Sequence, residues 1–298
     1  MKRLEPPVKR VDAVLDTDAY NEIDDQFAIA YMLASSDKIN TKAIYAAPFL
    51  NGKSKDAKDG MEKSYAEIEK ILSLCKRSVP VFKGSESFLE DEKTPVTSDA
   101  ADDLIKRARA YSEDEPLYVV AIGAITNVAS AILKAPEIAK NLVVVWLGAQ
   151  GHHIGSNREF NCYQDVAAAR VVMSSDCAFV QLPCAGVVSE FRVSGPELLY
   201  WFKGKGSAVA DYLADNAIAE AESYAKGQVW TRVIWDVTAV AWLLNDGGRF
   251  LSYRIQDTRL PNYGDVYESG TIDKKQSYVF SVRRDALMRD LVQKVTKM

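Results

Sequence analysis

Two short runs rich in β-branched and aromatic side chains, residues 117–122 (LYVVAI) and 142–147 (LVVVWL), constrain the fold most tightly. Neither run alternates polar with apolar positions. That is the pattern of strands covered on both faces, as in a parallel sheet packed between helices. The surrounding segments follow the same logic. Strands are expected at residues 11–15, 41–47, 79–82 and 178–182, and helices from near Phe27 and over 60–74, 98–111, 126–133 and 166–173. Repeated β–α order of this kind predicts an α/β fold with an open, mostly parallel twisted sheet flanked by helices. Beyond Gly195 helical periodicity dominates, at 208–225 and 233–244, so a helical C-terminal elaboration is expected. Residues 254–273 read as polar loop, and 277–282 as a late strand before a final helix.

Composition narrows the functional classes. A hydrophobic fraction of 48% with 26% charged residues is ordinary for a globular chain of 298 residues. The net charge of −4 argues against a nucleic-acid partner, which needs a basic face. Four cysteines without a C-x-x-C pair, and only two histidines, argue against zinc. No run approaches the roughly 20 apolar residues of a membrane span. The first seven residues carry no apolar stretch, so a cytoplasmic protein is expected. With no repeat or Gly/Ser linker, residues 1–298 read as a single domain.

Residues 16–25 (DTDAYNEIDD) place five acidic side chains and no basic one between the first strand and the first helix. Open α/β sheets hold their ligands at the carboxyl ends of strands, where this segment falls. Carboxylates brought together repel one another, increasingly so as water is excluded. A hard cation held by oxygen ligands relieves that repulsion. A solvated acidic loop is the alternative, and the apolar flanks favour the metal site. An EF-hand is excluded, because it needs Gly at Asn21 and Glu at Phe27. The pair Asp16 and Asp18 imitates a Mg2+-dependent phosphatase of the haloacid dehalogenase type, but Ala19-Tyr20 replaces the Gly-Thr expected there.

Three later stretches fall where further strands end. Residues 123–127 (GAITN) form either a helix-capping turn or a backbone that exposes a carbonyl to a metal. Glu159 and Asn161, two apart in a segment read as extended, point to one side and either face water or receive adjacent hydroxyls. Asp236, after Trp235 at the start of an apolar helix, either favours the helix dipole or acts as a ligand beside an aromatic wall.

Taken in order, these stretches resemble the calcium-dependent, inosine–uridine-preferring nucleoside hydrolase family. That family opens with D-x-D-x-x-x-D-D, carries a G-P-L-T-N turn and E-F-N-x-x-x-D-P-x-A-A, and ends with H-D-P-x-A on a helix. The counterparts are residues 16–25, 123–127, 159–168 and 235–239, with 79–84 (VPVFKG) resembling the family's P-V-x-x-G strand end. The resemblance implies Ca2+ bound by Asp18, Asp25, the backbone carbonyl of Thr126, and Asp236. It further implies that Asp18 deprotonates the calcium-bound water that attacks a ribonucleoside. Asp24, Glu159 and Asn161 would hold the ribose and Asp16 would order the loop from behind, while Trp235, which departs from the family pattern, is a candidate to stack on the base. A homo-oligomer, dimer or tetramer, is the family's habit.

Two departures stand out. The acidic loop is two residues longer than the pattern, which adds Glu22, and Trp235 stands where the family carries a histidine. His152 and His153 are candidate replacements as leaving-group acid. The family's A-G-N segment is not evident in residues 46–51. Loss of the histidine also motivates a second reading, a nucleoside- or ribose-binding protein without catalysis.

Overall fold

The computed structural model describes residues 2–298. Its strands are β1 (Val11–Thr17), β2 (Ile39–Ala46), β3 (Val81–Lys83), β4 (Leu117–Ala121), β5 (Leu142–Leu147), β6 (Ala178–Leu182), β7 (Arg192–Ser194), β8 (Thr231–Val233), β9 (Leu251–Thr258) and β10 (Ile272–Val282). Eight of them form one sheet in the order β3-β2-β1-β4-β5-β6-β10-β9, and β7 pairs with β8 separately. Every pairing in the large sheet is parallel except β9 with β10. The mostly parallel sheet expected from the sequence is therefore present.

The helices are α1 (Asp24–Ala34), α2 (Ala57–Leu74), α3 (Asp99–Ala108), α4 (Thr126–Lys134), α5 (Phe160–Gln164), α6 (Val166–Ser174), α7 (Gly195–Glu197), α8 (Ala208–Ala225), α9 (Val237–Leu243) and α10 (Arg284–Val295). Caps set several starts. The Asp56 side chain accepts from the N–H of Asp59 at 2.8 Å to begin α2, and Ser98 accepts from Ala101 at 3.2 Å to begin α3. Alternate residues of each strand feed opposite cores. Leu15, Val120 and Val145 pack with α1, α8 and α9, while Val14, Val119 and Val144 pack with α3, α4 and α6. Both β4 and β5 are buried along their whole length, which explains their unbroken apolar sequence.

The C-terminal third differs from expectation. Residues 254–258 lie in strand β9, not in a loop, and β10 begins at Ile272 instead of residue 277. Both strands are polar because they close the sheet edge and keep much of their length in water. The helix expected from residue 233 starts at Val237, since Val233 ends β8 and pairs with Arg192. The helical elaboration itself is formed by α7, which runs into a π-helical turn at Leu198–Phe202, and by α8.

Strand order reverses between β1 and β4, with β2 and β3 on one side and β5 and β6 on the other. Sheets of this kind hold their ligands in the crevice outside the carboxyl ends at that switch point. The loop from β1 to α1 and the turn from β4 to α4 both open there.

Candidate active site

Asp16, the penultimate residue of β1, is fully buried between Tyr45 and Ala121 of the neighbouring strands. Asn127, at the start of α4, donates from Nδ2 to Asp16 at 2.7 Å. The same amide donates to the Ala46 carbonyl at 3.3 Å and accepts from the backbone N–H of Ser85 at 2.7 Å. One side chain thus joins the ends of three strand connections to Asp16. Burial raises the Asp16 carboxyl to about 7, against the smaller opposing effect of the Asn127 bond.

Asp18, Asp24, Asp25 and Asp236 follow, each no more than 3% exposed. Oxygens of Asp24, Asp25 and Asp236 lie within 4.8 Å of one another. Thr17 donates its hydroxyl to Asp25 at 2.5 Å, and the N–H of Asp236 donates to Asp24 at 3.3 Å. Oδ2 of Asp16, Oδ2 of Asp18 and Oδ1 of Asp24 are buried without a hydrogen-bond partner. Such orphaned oxygens are costly unless something binds them. Burial is the largest cause raising all four carboxyls, and repulsion from neighbouring carboxylates adds to it. Asp25 reaches about 7.

The donor chemistry fits a hard cation. All the candidate ligands are oxygens, and ligands about 2.3–2.6 Å from one Ca2+ lie within roughly 5 Å of each other. Asp18 stands beside this trio, against the turn at Gly123. A Cβ on Gly123 would meet Asp18 Oδ1 at 2.9 Å, so only glycine leaves Asp18 its place. Thr126 opens α4 and is fully buried, with its hydroxyl committed to Asp165 at 2.7 Å. Asp165 also accepts from the backbone of Leu89 at 3.0 Å and caps α6 through Ala168 at 2.9 Å.

The four aspartates that follow β1 and precede α9 share one cavity with Glu159, Asn161 and Trp235. Glu159 caps α5 and is not part of an extended run, so the premise that paired it with Asn161 is corrected. One of its oxygens accepts from the N–H of Asn161 at 2.9 Å, the other from Ala149 at 2.8 Å and Cys162 at 3.0 Å. Burial outweighs these bonds and raises its pKa to about 7. Asn161 donates to the carbonyls of Ile122 at 3.2 Å and Leu147 at 3.0 Å, which fixes it between the ends of β4 and β5.

The family profile described as inosine-uridine preferring nucleoside hydrolase matches residues 13–287. The chain belongs to that family. A curated relative, "Uncharacterized protein C1683.06c" of Schizosaccharomyces pombe, is 26% identical over 214 residues, 67% of each chain. Among solved structures, an inosine-guanosine nucleoside hydrolase superposes with a TM-score of 0.76 at 17% identity, covering 97% of this chain and 99% of its own. A plant nucleoside hydrolase, PpNRh1, gives 0.75 at 16% identity over 98% and 100%. A purine-preferring ribonucleoside hydrolase from Gardnerella vaginalis gives 0.71 at 18% identity over 96% and 98%. At these identities the superpositions speak for a shared fold.

For a nucleoside hydrolase the remaining placements are informative. Neither histidine lines this cavity. They line a separate pocket with Arg254 and Phe280. His152 packs against Tyr267 and Tyr278 at 4.6 and 4.4 Å, and burial, with Arg259 and Arg254 nearby, lowers it to about 4. Gln150, Arg158 and Cys184 line the cavity and were not singled out from sequence, because they arrive on loops without a fixed spacing. Asn51, from the segment without an A-G-N motif, braces the lengthened acidic loop by donating to Asn21 at 2.6 Å.

Proposed function

We propose that this chain hydrolyses the N-glycosidic bond of ribonucleosides, releasing free base and ribose, at a Ca2+ centre formed by Asp18, Asp25, the Thr126 carbonyl and Asp236. Family membership supports the reaction class and metal dependence. The observation that carries the site is the convergence of buried, partly unpartnered carboxylates with Glu159 and Asn161 on one cavity.

When bound, the cation orients and acidifies the attacking water. Asp18 takes the proton from that water. Asp24, Glu159 and Asn161 accept from and donate to the ribose hydroxyls, and Trp235 offers its ring to the base. As the C1′–N bond stretches, positive charge grows on the sugar, and the surrounding carboxylates stabilise it. Asp16 keeps the loop in place through Asn127.

In this reading residues 1–298 act as one domain, supported by a sheet whose strands run from Val11 to Val282. No described helix is long and apolar enough to cross a membrane. A cytoplasmic homodimer or homotetramer is proposed from the family's habit. Trp235 in the histidine position favours a second reading, nucleoside binding without turnover. Release of ribose from a nucleoside panel, with and without chelator, separates the two.

A further inference from the structure

We propose that the preferred substrates of this site are N-ribosides whose base carries a fixed positive charge, a quaternised nitrogen heterocycle, with Glu22 and Trp235 selecting the cation. This rests on the hydrolase reading and narrows its substrate class.

Six acidic side chains line the cavity: Asp18, Glu22, Asp24, Asp25, Glu159 and Asp236. The only base among them is Arg158, which is largely exposed, paired with Asp265 at 2.9 Å and laid over the Tyr163 ring at 4.3 Å. Three ligand aspartates are balanced by a divalent cation together with Arg158, so Glu22, Asp24 and Glu159 are the groups that make the lining negative as they ionise. Among the lining side chains there is no histidine, lysine or tyrosine. Asp18 and Asp24, each with a buried oxygen that has no hydrogen-bond partner, are among the lining residues.

Glu22 sharpens this. It comes from the two-residue extension, and its nearest cations, Arg232 and Lys53, attract it through space while bonding to other groups. Lys53 bonds the Asn21 carbonyl at 2.8 Å and Glu220 at 3.2 Å, while Arg232 bonds the Tyr224 hydroxyl at 2.9 Å and Glu220 at 3.3 Å. Glu22 makes no side-chain hydrogen bond or ion pair among the described residues. Glu22 and Trp235 both line this cavity, Glu22 standing between it and a neighbouring pocket with Lys53 and Glu220, and a carboxylate and an indole both attract a cationic ring.

The chemistry agrees. A neutral base departs as an anion unless an acid protonates it, and the family's histidine is absent here. With a quaternised base, the electron pair of the breaking C1′–N bond moves onto the ring nitrogen and cancels its charge. The base leaves neutral and takes no proton. The water oxygen bonds to C1′, one proton stays on the new hydroxyl, and the other passes through a carboxylate to solvent. One proton is therefore released per turnover.

The test compares guanosine with 7-methylguanosine, assayed where the methylated ring is cationic, and adds an N-ribosylpyridinium. The calcium-loaded enzyme is expected to prefer the cationic ribosides by about tenfold beyond the ratio of their spontaneous hydrolysis. The excess should lie in KM, one proton per turnover should appear in a pH-stat, and Glu22→Gln and Trp235→Leu should each shrink the excess. If guanosine equals 7-methylguanosine after that correction, or the excess survives Glu22→Gln, the inference fails while the hydrolase reading stands. Turnover of no riboside overturns both.

Discussion

The backbone N–H of Asp236 donates to the carboxylate of Asp24 at 3.3 Å, although 212 residues separate them in the chain. This contact docks the start of α9 onto the start of α1 and brings a late aspartate into the early acidic loop. Without it the loop would be a run of carboxylates with no reason to be buried.

Asp25→Asn and Asp236→Asn keep the size of each side chain and remove a charged oxygen donor. Each is expected to weaken calcium binding by more than about 100-fold, beyond the 10–100-fold typical of supporting residues. Equilibrium dialysis with metal analysis measures this. Stoichiometric calcium at micromolar concentration in either variant would remove that residue from the ligand set.

Taking the metal away should destabilise the fold, because the buried carboxylates then repel one another without compensation. A cation present at 100 times its Kd stabilises by about 2.7 kcal/mol, which for a chain of this size corresponds to a Tm change of roughly 5 °C. Calorimetry of metal-free protein with and without added calcium should show a rise of that order.

Gly123→Ala separates site from scaffold. The added methyl would stand 2.9 Å from Asp18 Oδ1 and 3.2 Å from the Ala47 Cβ, so Asp18 must move. The Gly123 backbone is not in the left-handed region, so alanine adds no conformational strain. Turnover should fall by about tenfold or more with little loss of Tm, since small misplacements at a reacting centre are costly. Unchanged turnover would mean that Asp18 is not held by this turn.

Much of this was legible in the sequence where burial is complete. The runs at 117–122 and 142–147 became β4 and β5 because strands covered on both faces leave an unbroken apolar pattern, and residues 208–225 became α8 because its buried positions recur at helical spacing. The edge strand β9 was missed because solvent on one side allowed it a polar sequence. The aspartates were legible as a group that needs a cation. That Asp24 sits with Asp25 and Asp236 in the tightest trio, with Asp18 beside them, depends on the docking of α9 and could not be read from spacing. Nor could the fate of the histidines, which the loop after β5 carries into a different pocket.

Glu159 supplies the pH dependence. Burial raises its pKa from 4.5 to about 7, so the folded protein holds this proton through the intervening range and the ionised acceptor predominates only above about 7. As pH falls below that value KM for nucleosides should rise, approaching tenfold per pH unit. Glu159→Gln should flatten the profile and raise KM while leaving calcium bound. Loss of the metal in that variant would place Glu159 wrongly.

The most direct measurement is ribose release from a nucleoside panel, cationic ribosides included, by calcium-loaded wild type, metal-free wild type and Asp18→Asn. Release by the loaded wild type that is lost on chelation, restored by calcium and at least about 1,000-fold lower in Asp18→Asn is the expected result, combining loss of a base with loss of a ligand. Metal-dependent nucleoside binding with no ribose released by any of the three would contradict the hydrolase and leave a binding protein.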